Sequence, residues 1–139
     1  MDSDNAPLAV TDTHALIWAM DGRAKRLGRH ARRMFEKADQ GKGAIYIPAI
    51  ALAELGEASH RGRVTLALPF EEWMRSAFAS GKYHDAALTA EIVGIAQRLY
   101  GIVERGDRLI AATAVMLDLP LITRDPNIAE AAGVECIWA

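Results

Sequence analysis

This sequence of 139 residues contains little cysteine and no long apolar run. Its single cysteine, Cys136, excludes an intrachain disulfide and a two-cysteine metal or redox motif, which favours a reducing compartment. The purest apolar stretches, residues 44–53 and 109–117, are too short to span a membrane, and the first residues are acidic where a secretory signal is basic. We therefore expect a soluble, cytoplasmic protein with no membrane partner.

Familiar sequence motifs for catalysis are absent as well. The chain has no G-x-S-x-G, no G-x-x-x-x-G-K-[ST], no G-x-G-x-x-G and no H-E-x-x-H. Nothing in it therefore indicates a serine hydrolase, a phosphate-binding P-loop, a dinucleotide site or a zinc protease of those types. The four histidines are scattered without the spacing of metal ligands, and only His14 lies close to a candidate site.

Apolar residues make up 51% of the chain, which is enough for the core of one domain. We expect a single domain over residues 1–139, with residues 1–6 as a disordered tail. Short apolar runs alternate with helical patterns, which predicts an α/β fold with a central parallel sheet flanked by helices on both faces. The predicted strands are residues 8–11, 45–47, 121–123 and 134–138, and the predicted helices are residues 13–20, 28–40, 48–59, 70–80, 90–100, 106–117 and 126–132.

Positive charge is concentrated in one segment, although the formal net charge is only −2. Eight of the 16 lysines and arginines lie between Gly22 and Lys42, against two acidic residues. Two interpretations stay open: the segment binds the phosphates of a nucleic acid, or its charges form an ordinary solvated helix face. The candidate phosphate-binding residues are Arg26, Arg29 and Arg33.

Three aspartates occupy positions typical of a ligand site. Asp12 and Asp125 follow the predicted strands 8–11 and 121–123, and open parallel sheets bind ligands at the carboxyl ends of their strands. Asp107 opens a predicted helix, where free backbone N–H groups favour negative charge. All three are also good helix-capping residues, so capping alone is the alternative interpretation.

Glu54 is harder to explain by local structure, because its helix is otherwise apolar and a buried carboxylate is costly unless it is paired or bound to metal. The alternative is a position on the solvent edge of the helix beside Glu57. Carboxylates that converge on one point repel each other unless a cation neutralises them. Oxygen ligands favour Mg²⁺, with Mn²⁺ as a substitute, and Mg²⁺ often binds substrate phosphates as well. The acidic residues therefore indicate a metal-dependent reaction on a phosphate ester.

Four segments of the sequence resemble PIN-domain proteins, in particular the VapC-type toxin ribonucleases of bacterial toxin–antitoxin pairs. In chain order they are residues 10–18 (VTDTHALIW), 47–55 (IPAIALAEL), 106–114 (GDRLIAATA) and 121–125 (LITRD). Each segment contains one acidic residue in a matching local context, and together they extend over nearly the whole chain. The resemblance implies a PIN-like three-layer α/β/α sandwich with a central parallel sheet.

The resemblance also implies which residues act. The expected metal-binding and catalytic residues are Asp12, Glu54, Asp107 and Asp125. The expected supporting or substrate-contacting residues are Thr13, Glu104, Arg108 and Thr123. One departure concerns Glu104: the family often has His-x-Asp-Pro-x-Asp-Arg here, whereas residues 102–108 read IVERGDR, which keeps the first negative charge but lacks the His and the Pro. Arg108 and Arg124 either pair with phosphate or brace the carboxylates.

The activity implied by the resemblance is Mg²⁺-dependent endonucleolytic hydrolysis of single-stranded or looped RNA, leaving a 5′-phosphate, by the toxin of a toxin–antitoxin pair. A homodimer and a cognate VapB-type antitoxin are implied as partners. Two alternatives stay open: an RNA-processing PIN nuclease without an antitoxin, and a non-catalytic RNA-binding protein of the same fold. The presence of all four acidic residues disfavours the non-catalytic alternative.

Overall fold

The structure is a computed structural model that describes residues 6–139. Residues 1–5 of the predicted tail lie outside the described residues. Five strands form one parallel sheet in the order β3-β2-β1-β4-β5, with β1 at Leu8–Thr11, β2 at Ala44–Pro48, β3 at Tyr83–Ala86, β4 at Leu121–Ile122 and β5 at Cys136–Ile137. The α-helices are α1 (Thr13–Met20), α2 (Arg29–Asp39), α3 (Ala49–His60), α4 (Phe70–Ala79), α5 (Ala90–Ala96), α6 (Arg105–Leu117) and α7 (Pro126–Ala132), and a 3₁₀ turn at Ala24–Arg26 precedes α2.

Helices flank the sheet, which confirms the predicted α/β/α sandwich. Ala9, Val10 and Thr11 of the central strand have no exposed surface, so both faces of β1 are covered. The chain moves from β1 to β3 towards one edge of the sheet and from β3 to β5 towards the other. Because crossovers between parallel strands are right-handed, this order predicts helices on opposite faces. Among the described residues, no helix has the length and apolar character needed to cross a membrane.

Two elements differ from the sequence prediction in informative ways. The strand β3 was not predicted, because His84 and Asp85 are not typical strand residues; it lies at the edge of the sheet, where a polar strand is tolerated. The helix predicted for residues 90–100 ends at Ala96. Gly94 lowers the helix propensity of this segment, and the chain continues beyond it in tighter turns, with the Leu99 amide 3.0 Å from the carbonyl oxygen of Ala96.

The strand order places a topological switch point between β1 and β4. Thr11 pairs with Ile122, and the Asp12 amide donates a hydrogen bond to the carbonyl oxygen of Ile122 at 3.0 Å. The carboxyl ends of the two strands therefore lie side by side. In open parallel sheets this is the position of the ligand-binding crevice, and here it brings together the residues that follow β1 and β4.

The helix α2 is amphipathic as predicted. Its buried residues are Ala31, Met34, Phe35 and Ala38, whereas Arg29, Arg32 and Arg33 are exposed. The first free amides of this helix, those of His30 and Ala31, donate to the carbonyl oxygen of Trp138 at 3.0 and 3.1 Å. The residues after β5 are thereby attached to the start of α2.

Candidate active site

Asp12 lies at the switch point, between the end of β1 and the start of α1. Its Oδ1 accepts a hydrogen bond from the Ala15 amide at 2.9 Å, so Asp12 does cap α1 as the simpler interpretation proposed. It also lines a cleft at this edge of the sheet. Burial raises the pKa of Asp12, and the Ala15 amide and the Thr123 hydroxyl oppose that rise. Capping and site formation are therefore two roles of one carboxylate.

Thr123 and Asp125 reach the same cleft from the end of β4. Thr123 is only 1% exposed, and its Oγ1 accepts a hydrogen bond from the Asp125 amide at 3.2 Å. Asp125 caps α7 by accepting from the Asn127 amide at 2.9 Å, while its carboxylate stays exposed to the cleft. The Thr123 hydroxyl thus contacts the Asp12 carboxylate and also holds the backbone of Asp125 in place.

Two acidic residues enter the cleft from the start of α6. Glu104 occupies the N-cap position without capping the helix through its side chain, and Asp107 follows in the first turn. Burial raises the pKa of Asp107, and the negative charges of Glu104, Asp12 and Glu54 raise it further, while His14 lowers it. The structure therefore brings Glu104 close to Asp107, despite the departure from the family pattern.

Glu54 approaches the site from α3 and does not lie on the solvent edge. Its carboxylate accepts a hydrogen bond from the Thr13 hydroxyl of α1, and its side chain is half-buried whereas that of Glu57 is exposed. A Cβ added at Gly106 would lie 3.1 Å from Glu54 Oε2, so the absence of a side chain there admits the carboxylate beside α6. Glu54 contributes to the field at Asp107 and Asp12 but does not line the open part of the cleft.

The cleft has a volume of about 590 Å³ and contains groups of both charge signs. We call Asp12, Glu104, Asp107 and Asp125 the acidic cluster. Within residues 6–139, no three His, Cys, Asp or Glu side chains are arranged as a complete metal-ligand set. Mg²⁺ usually binds one or two carboxylates and keeps several waters, so the oxygen donors present fit an ion held by few protein ligands. A bound cation would also offset the repulsion that raises the pKa of Asp107.

Two arginines line the same cleft and contact one tryptophan. The guanidinium carbon of Arg26 lies 5.9 Å from the centroid of the Trp18 ring, and that of Arg124 lies 5.7 Å from it. We call Arg26 and Arg124 the arginine pair. The ring of His14 is 5.9 Å from Trp18 as well, and Trp18 packs against Trp138 at 6.1 Å. Trp18 is only 8% exposed, and no sequence signal links it to Arg124.

The other predicted basic residues lie elsewhere. Arg108 Nη1 donates to the carbonyl oxygens of Ile102 and Val103, both at 2.9 Å, and its guanidinium stacks on Tyr100 at 4.4 Å. It therefore holds the loop before α6, and within the described residues no salt bridge joins it to the acidic cluster. Arg29 and Arg33 border a separate surface depression on α2, outside the acidic cleft.

These features define a parallel α/β protein with an oxygen-rich acidic site at the switch point of its sheet. The chain belongs to the PIN domain family, which it matches over residues 9–134. PIN domains are nucleases, which supports a hydrolase that acts on nucleic acids. A comparison with curated proteins gives no significant sequence match.

Solved structures with a similar fold include toxin–antitoxin complexes. The chain aligns with VapBC2 of Rickettsia felis, solved with a promoter DNA fragment, at 16% identity and a TM-score of 0.67, covering 95% of this chain and 99% of that one. It aligns with FitAcB of Neisseria gonorrhoeae at 17% identity and a TM-score of 0.63, covering 93% and 96%. VapBC-1 of nontypeable Haemophilus influenzae gives 15% identity, a TM-score of 0.63 and the same coverage. At these identities the likeness establishes the fold.

Proposed function

We propose that this protein is a Mg²⁺-dependent endoribonuclease and the toxin of a toxin–antitoxin pair. The observation that carries the proposal is the convergence of Asp12, Asp107 and Asp125 on one cleft at the switch point of a PIN domain. Oxygen-donor side chains in one cleft suit a divalent cation, and such a cation can in turn bind a phosphate ester.

The proposed chemistry needs little beyond positioning and charge. One or two of the carboxylates of Asp12, Asp107 and Asp125 would hold Mg²⁺, or Mn²⁺ in its place, with waters as the other ligands. When bound, the ion lowers the pKa of a coordinated water and neutralises charge on the scissile phosphate. Thr123 and the Ala15 amide orient the Asp12 carboxylate. Thr13 orients Glu54, whose negative charge strengthens the attraction of the site for a cation.

The test is cleavage of single-stranded RNA by the purified protein, with Mg²⁺, with Mn²⁺ and with EDTA. We expect cleavage with either metal, products that carry a 5′-phosphate, and no cleavage in EDTA or by Asp107→Asn. Asp107→Asn keeps the size of the side chain and removes only its charge. Undiminished cleavage by this variant, or in EDTA, would contradict the metal site.

The toxin assignment is supported by the toxin–antitoxin complexes among the similar structures. We expect expression of the chain in the cytoplasm of a bacterial host to arrest growth of that host. Co-expression of a VapB-type antitoxin encoded next to it should restore growth. Normal growth of a host that expresses Asp107→Asn without the antitoxin would show that growth arrest needs the nuclease activity. A nuclease without any effect on growth would instead support an RNA-processing role without an antitoxin.

We infer a homodimer as well, and the surface around α5 supports it. Val93 and Tyr100 are exposed apolar residues that border one shallow depression, and Val103 is 86% exposed nearby in sequence. Contiguous exposed apolar patches are typical of protein–protein interfaces. Light scattering of the purified protein measures the oligomeric state, and a monomer at micromolar concentration would contradict the inference.

A further inference from the structure

The arginine pair is brought together by the fold and by nothing in the local sequence. Arg26 ends the 3₁₀ turn before α2, and Arg124 follows β4. Both side chains are exposed, both line the cleft that contains the acidic cluster, and both guanidinium groups lie within 6 Å of the centroid of one indole ring. A tryptophan ring attracts a guanidinium group and restricts its position.

Neither arginine has a structural role that would use its hydrogen-bond donors. Within residues 6–139, the side chains of Arg26 and Arg124 make no salt bridge and no hydrogen bond. Arg23 and Arg108 provide the contrast, because Arg23 pairs with Asp21 and Arg108 donates to two loop carbonyls. A guanidinium that stacks on an aromatic ring keeps its in-plane N–H groups available to an anion.

The neighbouring acidic cluster defines what such an anion must be. A polynucleotide that places one phosphate among these carboxylates experiences repulsion at its adjacent phosphates, and these need a positive partner. Planar guanidinium groups bind phosphate oxygens through two parallel hydrogen bonds. Trp18 is only 8% exposed, so it can support the arginines but offers little surface to a stacked base.

We propose that Arg26 and Arg124 bind the phosphates that flank the scissile phosphate of a single-stranded RNA, with Trp18 as the positioning residue beneath them. This assignment rests on the proposed nuclease function. Arg29 and Arg33 lie in the same basic segment as Arg26, but they border another depression and are not part of this proposed site. The arginine pair thus determines affinity for the substrate strand, and the acidic cluster determines the reaction.

The first test measures binding without cleavage. In the Asp107→Asn background, a fluorescein-labelled single-stranded RNA of twelve nucleotides is titrated by anisotropy at several NaCl concentrations. We expect Arg26→Ala and Arg124→Ala each to weaken binding by about tenfold at low salt and to reduce the slope of log K against log salt by about 0.7, the value for one phosphate contact on a single strand. The double variant reduces the slope by about 1.4.

Matched controls separate this site from general charge effects. Arg75→Ala and Arg98→Ala remove exposed arginines outside the cleft and should change binding less than twofold. Arg26→Lys keeps the charge and should retain the salt slope. Equal losses in Arg26→Ala and Arg75→Ala, or no loss in Arg26→Ala and Arg124→Ala, would overturn the assignment.

The second test uses single-turnover cleavage by enzyme that keeps its acidic residues. Removal of both arginines should raise the RNA concentration that gives half-maximal rate by about a hundredfold and leave the saturating rate within twofold, because flanking contacts act equally in the bound and reacting complexes. A large loss of the saturating rate would overturn the assignment of the arginine pair to the flanking phosphates. If the parent enzyme does not cleave RNA but still binds it through these arginines, the proposed function fails and the binding site stands.

Discussion

The acidic cluster and the arginine pair share one cleft but are held by different kinds of structure. The acidic residues sit at the ends of strands and the starts of helices, where Asp12 and Asp125 accept hydrogen bonds from backbone amides. The arginines come from a turn and a loop, and within residues 6–139 their guanidinium groups pack on Trp18 without a hydrogen bond or salt bridge. Carboxylates held by backbone hydrogen bonds suit metal binding, whereas exposed arginines on an aromatic ring suit a ligand that varies in sequence and shape.

The largest expected effect concerns the acidic cluster. Asp12→Asn keeps a good N-cap for α1 and removes the negative charge, so the fold should persist while metal binding fails. We expect RNA cleavage to fall by about a thousandfold, measured at saturating Mg²⁺. Asp118→Asn is the matched control, because this exposed residue adopts the left-handed conformation with φ 54° that asparagine tolerates well. Similar activities of the two variants would remove Asp12 from the site.

A smaller effect is expected where an acidic residue acts from behind the cleft. Glu54→Gln can still accept the hydrogen bond from Thr13 but loses its charge beside Asp107. Weaker metal affinity and a decrease in cleavage of about tenfold to a hundredfold should follow, as for other groups that support metal ligands. Glu57→Gln, on the exposed side of α3, should cleave at the parent rate. Equal rates for Glu54→Gln and the parent enzyme would show that Glu54 is structural only.

The support beneath the arginine pair can be disturbed without touching the acidic cluster. An alanine Cβ at Gly28 would lie 2.3 Å from the carbonyl oxygen of Trp138, which accepts the first amides of α2, and the Trp138 ring packs on Trp18. Gly28→Ala should cost about 2 kcal/mol of folding free energy, measured by urea denaturation, and weaken RNA binding. Gly101→Ala, with nothing near its Cβ, is the control. A Gly28→Ala protein of unchanged stability would mean that this contact relaxes freely.

The smallest effect is on the stability of the metal-free protein. Because burial and neighbouring carboxylates raise the pKa of Asp107 above 3.8, the folded state binds more protons than the unfolded state above that pH. Stability of the parent protein therefore decreases as pH rises through the raised pKa, and Asp107→Asn removes this loss. We expect the variant to melt at a higher temperature than the parent at neutral pH without metal, and Mg²⁺ to reduce the difference. A lower melting temperature for the variant would contradict this account of the acidic cluster.

Sequence reasoning predicted the fold class and most of the elements, because helix and strand periodicities are local properties. It placed Asp12, Asp107 and Asp125 at strand ends and a helix start, and those positions agree with the structure. It missed β3, whose polar residues become a strand only by pairing with β2. It did not decide on which side of α3 Glu54 lies, because that position depends on Thr13 and Gly106 from two other helices.

The sequence by itself determined which residues carry charge, where the chain turns, and which local caps and amphipathic faces can form, since these depend on neighbours within a few positions. The tertiary structure alone decided that the ends of β1 and β4 adjoin, and that Arg26 and Arg124 meet on Trp18 while Arg29, Arg33 and Arg108 lie elsewhere. The physical reason is that strand order and helix crossovers set distances between residues far apart in the chain. No local periodicity contains that information.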